Sequence, residues 1–141
     1  MPADGRSWAR VVDASALGAL LFGEPEADEV ADRLAHAVLI APALLRFELA
    51  NVCWKKIRRH PGQRDALLAG HALLEQMEIH EVEVRSGEVL ELAESEGITA
   101  YDASYLWLAR TLDLALVTLD RRLAKAAAAY HHGERGPAST S

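Results

Sequence analysis

Four acidic residues are the strongest candidates for chemistry in this sequence. Asp13 directly follows a short apolar run, and Asp120 comes two residues after the end of another. Because the carboxyl ends of parallel strands meet at one edge of a sheet, these two carboxylates are predicted to share a crevice. Asp102 falls in the first turn of a predicted helix, and Glu48 lies about one turn into a helix that follows a strand. We therefore expect all four acids to converge at the same sheet edge.

Each of these acids also has a purely structural interpretation. Asp13 and Asp120 could be helix N-caps, and Thr99 with Asp102 has the spacing of a capping box. Glu48 could be a solvated helix residue. Capping does not explain why Glu48 lies in a mostly apolar stretch, or why two strands each deliver an aspartate to one edge. Taken together, the four acids favour a functional site over four separate structural roles.

The chemistry of such a cluster indicates a divalent metal. Carboxylates in one crevice repel each other unless a cation is present, and an all-oxygen ligand set selects a hard ion such as Mg²⁺ or Mn²⁺. Zinc is not favoured, because Cys53 is the only cysteine and the histidines lack zinc-ligand spacing. The sequence also lacks a glycine-rich phosphate loop, a G-x-S-x-G turn and an H-E-x-x-H helix. The residues thus predict an oxygen-ligated Mg²⁺ or Mn²⁺ site.

Basic residues accompany the acids on two helices. On the predicted Glu48 helix, a rotation of about 100° per residue brings Asn51, Lys55 and Arg59 close to the same face. A second basic pair follows the last acid of the cluster: Arg121 and Arg122. These side chains could position a phosphate backbone, or they could form an ordinary solvated surface with basic residues near helix ends. Their proximity to an acidic metal site favours contact with nucleic acid.

The elements that must position these residues alternate along the chain. Short apolar runs predict strands at 11–12, 38–41, 79–84 and 115–118. Helical spacing predicts helices over 15–22, 26–35, 44–60, 65–77, 88–96, 99–112 and 120–129. Gly97 is suited to end the helix at 88–96. Strands separated by helices predict an α/β fold with a parallel sheet covered on both faces.

Length and composition bound the protein to a single domain. The chain has 141 residues, of which 50% are hydrophobic and 26% are charged, so it can form a sizeable core. The net charge of −6 excludes nucleic-acid binding by bulk positive charge. We expect an N-terminal extension at 1–9, one domain at 10–130 and a mobile tail rich in glycine, proline and serine at 131–141.

The sequence predicts a cytoplasmic protein. The first residues contain no apolar segment of the kind that a secretory signal requires. The longest apolar stretches fall well short of the roughly 18 residues that would suggest a membrane span. A single cysteine cannot form a disulfide within the chain, which is typical of a reducing compartment.

Four segments, taken in chain order, resemble the successive motifs of the PIN domain, and more narrowly of VapC-type toxins. They are VVDAS at 11–15, PALLRFELAN at 42–51, TAYDASY at 99–105 and LVTLDRRLA at 116–124. The resemblance implies an α/β/α sandwich around a parallel sheet of order 3-2-1-4-5. Since the chain after Ala129 lacks a clear apolar run, we expect the fifth strand to be short or missing.

The resemblance also implies an activity. PIN domains cleave RNA endonucleolytically with Mg²⁺ or Mn²⁺ bound by an acidic quartet. The matching positions here are Asp13, Glu48, Asp102 and Asp120. Three further positions match residues that support the quartet: Ser15, Asn51 and Thr118. The implied mechanism is metal-assisted hydrolysis of phosphodiester bonds, in which no side chain acts as nucleophile.

The resemblance further implies partners. VapC toxins are dimers that a small VapB-type antitoxin neutralises, so we expect RNA, a homodimer and such an antitoxin. Three other interpretations stay open on the sequence alone. They are a housekeeping PIN-domain RNA-processing nuclease, a catalytically silent PIN-fold binding module, and a phosphohydrolase acting on small phosphate monoesters.

Overall fold

The computed structural model describes residues 8–133, with side chains as far as Ala129. Four strands form one sheet: β1 (Ala9–Val12), β2 (Val38–Ala41), β3 (Ile79–Glu81) and β4 (Ala115–Val117). Seven α-helices are present in this part of the chain: α1 (Ala14–Leu21), α2 (Ala27–Leu34), α3 (Leu44–Arg59), α4 (Arg64–Ala72), α5 (Ser86–Glu96), α6 (Ala100–Leu112) and α7 (Arg121–Gly133). Strands and helices therefore alternate as the sequence predicts.

The sheet is parallel throughout, with the strand order β3-β2-β1-β4. Strand β1 is central, and Val11 pairs with Ile40 of β2 on one side and with Leu116 of β4 on the other. This order confirms the α/β sandwich and the first four positions of the predicted sheet. Residues 118–133 add no fifth strand, since α7 follows β4 after a short turn.

The crossover helices form two groups. Helix α1 packs against α2 and α3, whereas α6 packs against α5 and α7. Right-handed crossovers that run from β1 to β3 and then back to β4 place these groups on opposite faces of the sheet. The direction of the crossovers changes between β1 and β4. In open parallel sheets, ligands bind outside the carboxyl ends of the strands at this switch point.

One continuous core holds both helical groups to the sheet. Val11 and Val12 of β1 are completely buried, as expected for a central strand covered on both faces. Leu17 and Leu49 fill one side of this core and Leu106 the other. This packing holds the ends of β1 and β4 in fixed positions. It therefore also fixes the backbone positions of the residues that directly follow these strands.

Some predicted boundaries differ from the structure. Strand β3 stops at Glu81 rather than at 84, because its partner β2 ends before Pro42 and offers no further pairing. The predicted helix over 65–77 ends at Ala72 and continues as a 3₁₀ turn over Leu73–Gln76, which buries Leu74. Helix α5 is closed by Gly97 in the left-handed conformation, as predicted.

The predicted termini fall partly outside the described residues. The expected N-terminal extension reaches into β1, which begins at Ala9, and residues 1–7 lie outside the described part. Helix α7 continues to Gly133, past the predicted boundary at 130. Residues 134–141 of the expected mobile tail are not described. Within 8–133, no helix is both long and apolar enough to cross a membrane.

Candidate active site

Asp13 lies at the carboxyl end of β1 and is only 5% exposed. Its backbone N–H donates to the carbonyl of Val117, which joins the ends of β1 and β4 beside the switch point. Its Oδ1 accepts hydrogen bonds from the Ala16 N–H at 3.0 Å and from the Ser15 hydroxyl at 2.8 Å. Asp13 is therefore the N-cap of α1, and it is also buried at the edge where ligands bind in this architecture.

Two hydroxyl groups connect Asp13 to the segment that follows β4. The Thr118 hydroxyl donates to Asp13 Oδ2 at 2.5 Å and accepts from the Asp120 N–H at 3.0 Å. The Ser15 hydroxyl, which donates to Asp13, accepts from the Leu119 N–H at 2.9 Å. We call Ser15 and Thr118 the hydroxyl bridge. Both of its donated protons point at the Asp13 carboxylate, and this arrangement fixes the carboxylate relative to Asp120.

Burial and hydrogen bonding shift the pKa of Asp13 in opposite directions. Loss of solvent raises the pKa of Asp13 above its ordinary value, and the nearby Asp102 charge adds to that rise. The bonds from Thr118, from the Ala16 amide and from Ser15 favour the charged form and oppose the shift. The hydroxyl bridge therefore favours the charged form of Asp13 against the effect of its burial.

Glu48 approaches the same edge from α3, and a buried tyrosine orients it. Tyr105 is 1% exposed, and its hydroxyl donates to Glu48 Oε1 at 2.5 Å. Desolvation raises the pKa of Glu48, the bond from Tyr105 opposes that rise, and the charges of Asp102 and Asp13 add to it. Burial and the bond to Glu48 raise the pKa of Tyr105, so its hydroxyl remains a donor.

The sequence prediction did not include Tyr105 among the site residues. Tyr105 follows Asp102 by three positions, which places the two residues on one face of a helix. That spacing is the only sequence signal that could have indicated its role. The contact itself joins residues that are far apart in the chain.

Asp102 and Asp120 complete the cluster of acids. The Asp102 N–H donates to the Thr99 hydroxyl at 3.0 Å, and Asp120 Oδ1 accepts from the Leu123 N–H at 2.9 Å. Desolvation and the charge of Asp120 raise the pKa of Asp102. Asp102 and Asp120 line one cavity of about 290 Å³. An acid can therefore cap a helix and also belong to the cluster. Asp13, for example, caps α1 through Oδ1 only.

The donor set fits a hard divalent cation in its chemistry, since it offers only carboxylate and hydroxyl oxygens. The raised pKa values of Asp13, Glu48 and Asp102 reflect desolvation and mutual repulsion, both of which a cation would relieve. Nevertheless, among the residues described, no three His, Cys, Asp or Glu side chains are arranged to hold one ion. The acids share an edge and interact electrostatically, but they do not form a closed cage.

The predicted RNA-contacting residues differ in their surroundings. Asn51, Lys55 and Arg59 are exposed on α3, where they can contact a ligand in solution. Arg121 is also exposed, at the start of α7. Arg122 is exposed as well, but it also donates to the Gly97 carbonyl at 2.6 Å, and its charge lowers the pKa of Asp102. Arg122 is therefore already engaged at the wall of the acidic cavity.

Comparison with known proteins agrees with this architecture. The family model of the PIN domain matches residues 10–129. Ribonuclease VapC3 from Pyrobaculum aerophilum is 38% identical over 122 residues, which cover 82% of this chain and 92% of that protein. Exonuclease VapC9 from the same organism is 35% identical over 115 residues, which cover 80% and 81% of the two chains.

A solved structure agrees in fold as well. The crystal structure of PAE2754 from Pyrobaculum aerophilum matches with a TM-score of 0.69 and 30% sequence identity, and the match covers 85% of this chain and 80% of that one. The residues that the PIN domain model matches, 10–129, include all four acids described above. The chain therefore belongs to the PIN domain family.

Proposed function

We propose that this protein is a divalent-metal-dependent endoribonuclease and the toxin of a VapBC-type pair. One observation carries the proposal: Asp13 is buried at the switch point, accepts hydrogen bonds from both hydroxyls of the hydroxyl bridge, and is electrostatically coupled to Asp102 and Glu48. A structural cap needs neither the second hydroxyl bond nor the neighbouring acids. The PIN family membership and the relatives named VapC support the same activity.

In this proposal Asp13, Glu48, Asp102 and Asp120 hold Mg²⁺ or Mn²⁺, directly or through water. Magnesium commonly uses one or two carboxylates together with water and substrate phosphate, so a closed protein cage is not required. When bound, the ion supplies charge neutralisation at the scissile phosphate and eases deprotonation of the attacking water. An RNA phosphate oxygen would complete the ligand set that the described acids leave open.

The hydroxyl bridge and Tyr105 position two of the acids for hydrolysis. The hydroxyl bridge favours the charged form of Asp13 and fixes the orientation of its carboxylate. Tyr105 holds Glu48 through Oε1, which leaves Oε2 to contact the attacking water and accept its proton, so Glu48 would hold the ion through that water rather than directly. A carboxylate whose pKa is raised is a better base near neutral pH than an ordinary one. These roles require no covalent intermediate with the enzyme.

The partners follow from the same assignment. We propose that the protein forms a homodimer, acts in the cytoplasm and is inhibited by a VapB-type antitoxin. An apolar groove between α3 and α4, lined by Trp54, Ile57 and Leu68, is a surface that such protein contacts would use. Light scattering with and without a co-expressed antitoxin measures both associations, and a monomer of unchanged mass in both samples would contradict them.

A circular single-stranded RNA tests the activity, because a circle has no end for an exonuclease. The two relatives make this test necessary, since one is named a ribonuclease and the other an exonuclease. Purified protein should open the circle with Mg²⁺ or Mn²⁺ and stop in EDTA. Degradation of linear RNA only would contradict the endonuclease, and cleavage that persists in EDTA would contradict the metal dependence. Turnover of small phosphate monoesters alone would support the phosphohydrolase instead.

A further inference from the structure

Two exposed aromatic rings stand at the rim of the candidate active site. Phe47 is 78% exposed and Tyr101 is 65% exposed. Both rings line one cavity of about 340 Å³, and the other lining residues are Leu44, Glu48 and Asn51. Exposed apolar surface next to a functional site commonly marks a place where a ligand or partner binds. A ligand that fills this cavity would therefore contact both rings and Glu48.

Each ring immediately precedes one of the four acids. Phe47 comes before Glu48 in the first turn of α3, and Tyr101 comes before Asp102 in the first turn of α6. Successive residues of a helix are rotated by about 100°, so the acid can face the crevice while the ring faces outward. The same helical turns that position the acids therefore place the two rings next to them, around one cavity.

We propose that Phe47 and Tyr101 stack on unpaired nucleobases of the RNA that flank the phosphodiester bond to be cut. This inference rests on the proposed function. Base stacking on an aromatic ring accepts any base, because every base has a π-face. Stacking also does not depend on attraction between opposite charges. The acids that are needed for cleavage repel phosphate, and stacking supplies binding energy that this repulsion does not cancel.

The polarity of the cavity favours a nucleobase over an apolar helix of a protein partner. Glu48 and Asn51 line it together with the two rings, so it offers apolar faces and polar edges side by side. A nucleobase has the same combination, with a flat apolar face and a hydrogen-bonding edge. The apolar groove between α3 and α4 lies elsewhere on α3 and suits a protein partner better.

Binding of a single-stranded RNA to a cleavage-deficient Asp13→Asn parent measures the contribution of each ring. Phe47→Ala or Tyr101→Ala in this parent should weaken binding by about fivefold to a hundredfold, the range expected for loss of one stacked base. Phe47→Tyr and Tyr101→Phe, which keep a ring, should retain the parent affinity. Leu90→Ala is the matched control, because Leu90 is 66% exposed on α5 away from the cavity.

Two readouts distinguish stacking from a structural effect. 2-Aminopurine placed next to the cleavage site should lose fluorescence on binding, and the alanine variants should restore much of it. The slope of log affinity against log salt should stay unchanged in these variants, because no phosphate contact is removed. Unchanged affinity together with unchanged quenching in both alanine variants would overturn the stacking.

The failure of this inference can be told apart from failure of the proposed function. A wild-type protein that cuts no RNA overturns the proposed function and the stacking together. A wild-type protein that cuts RNA, with alanine variants that bind as tightly as the parent, overturns the stacking alone. A change of mass in light scattering for Phe47→Ala, with RNA affinity intact, would assign the ring to a protein interface and would also overturn the stacking.

Discussion

Removing the Thr118 hydroxyl should reveal how strongly the hydroxyl bridge favours the charged form of the buried Asp13. Thr118 is 3% exposed, and its hydroxyl both donates to Asp13 and accepts from the Asp120 N–H. Thr118→Val keeps the branched shape of the side chain but removes both bonds. A hydrogen bond to a charged group contributes about 1.5–3 kcal/mol. The exposed Asp120 can recruit water for its N–H, so we expect a total loss of about 2–3 kcal/mol at neutral pH.

The loss should depend on pH in a defined direction. The Thr118 bond lowers the pKa of Asp13, so the variant's folded-state pKa is higher than that of the wild type. A carboxylate whose folded pKa is raised costs stability as the pH rises through that pKa. The difference between variant and wild type should therefore grow as the pH rises from the wild-type pKa to the variant's, and then stay constant. At low pH, where Asp13 is protonated in both proteins, the difference should be smallest.

Urea unfolding in EDTA from about pH 4 to about pH 8 measures this dependence. Thr118→Ser, which keeps the hydroxyl, should recover most of the loss at neutral pH. Thr111→Val is the control for a threonine that is exposed on α6. A loss in Thr118→Val that is equal at every pH, or a Thr118→Ser variant no better than Thr118→Val, would refute the role of the hydroxyl bridge.

Three further predictions concern individual side chains. Tyr105→Phe removes a hydrogen bond that lowers the pKa of Glu48, so the acid limb of the pH profile of kcat/KM should move to higher pH. An acid limb at the same pH in both proteins would contradict the orientation of Glu48 by Tyr105. Gly70→Ala should destabilise the protein by about 1–3 kcal/mol in urea unfolding despite the better helix propensity of alanine, because the new Cβ would lie 2.5 Å from the Leu21 carbonyl oxygen. The control Gly62→Ala, with open space around the new Cβ, should leave the stability nearly unchanged. Equal effects of the two substitutions would contradict the close packing at Gly70. Replacing Lys55 and Arg59 by alanine should reduce the magnitude of the salt slope of RNA binding by about two, and an unchanged slope would exclude phosphate contacts by these two side chains.

The sheet and the positions of the acids could be predicted from local sequence signals. Short apolar runs followed by Asp13 and by Asp120 predict strand ends, and parallel strands have their carboxyl ends at one edge. The capping signals of Asp13 and Thr99 are local as well, because each side chain bonds an amide three residues later. Such features depend on a few neighbouring residues, and a sequence displays them directly.

The contacts that tune the site depend on the packing of distant elements. The Tyr105 bond to Glu48 depends on the rotation of α6 relative to α3, which no local pattern specifies. The engagement of Arg122 with the Gly97 carbonyl depends on where α7 meets the end of α5. Among the described residues, the lack of three acids arranged around one point is another such property, since spacing in sequence predicts a shared edge but not the distance between side chains.

Binding of Mn²⁺ tests the central assignment most directly, because electron paramagnetic resonance detects the free ion that remains in solution. Wild-type protein should deplete free Mn²⁺, and Asp13→Asn and Asp102→Asn should each weaken binding by at least about tenfold, the lower end of the effect of losing even outer-shell support. Glu94→Gln, which changes an exposed acid on α5, should bind as the wild type does. Equal Mn²⁺ affinity in wild type, Asp13→Asn and Asp102→Asn would contradict a metal site at the ends of β1 and β4.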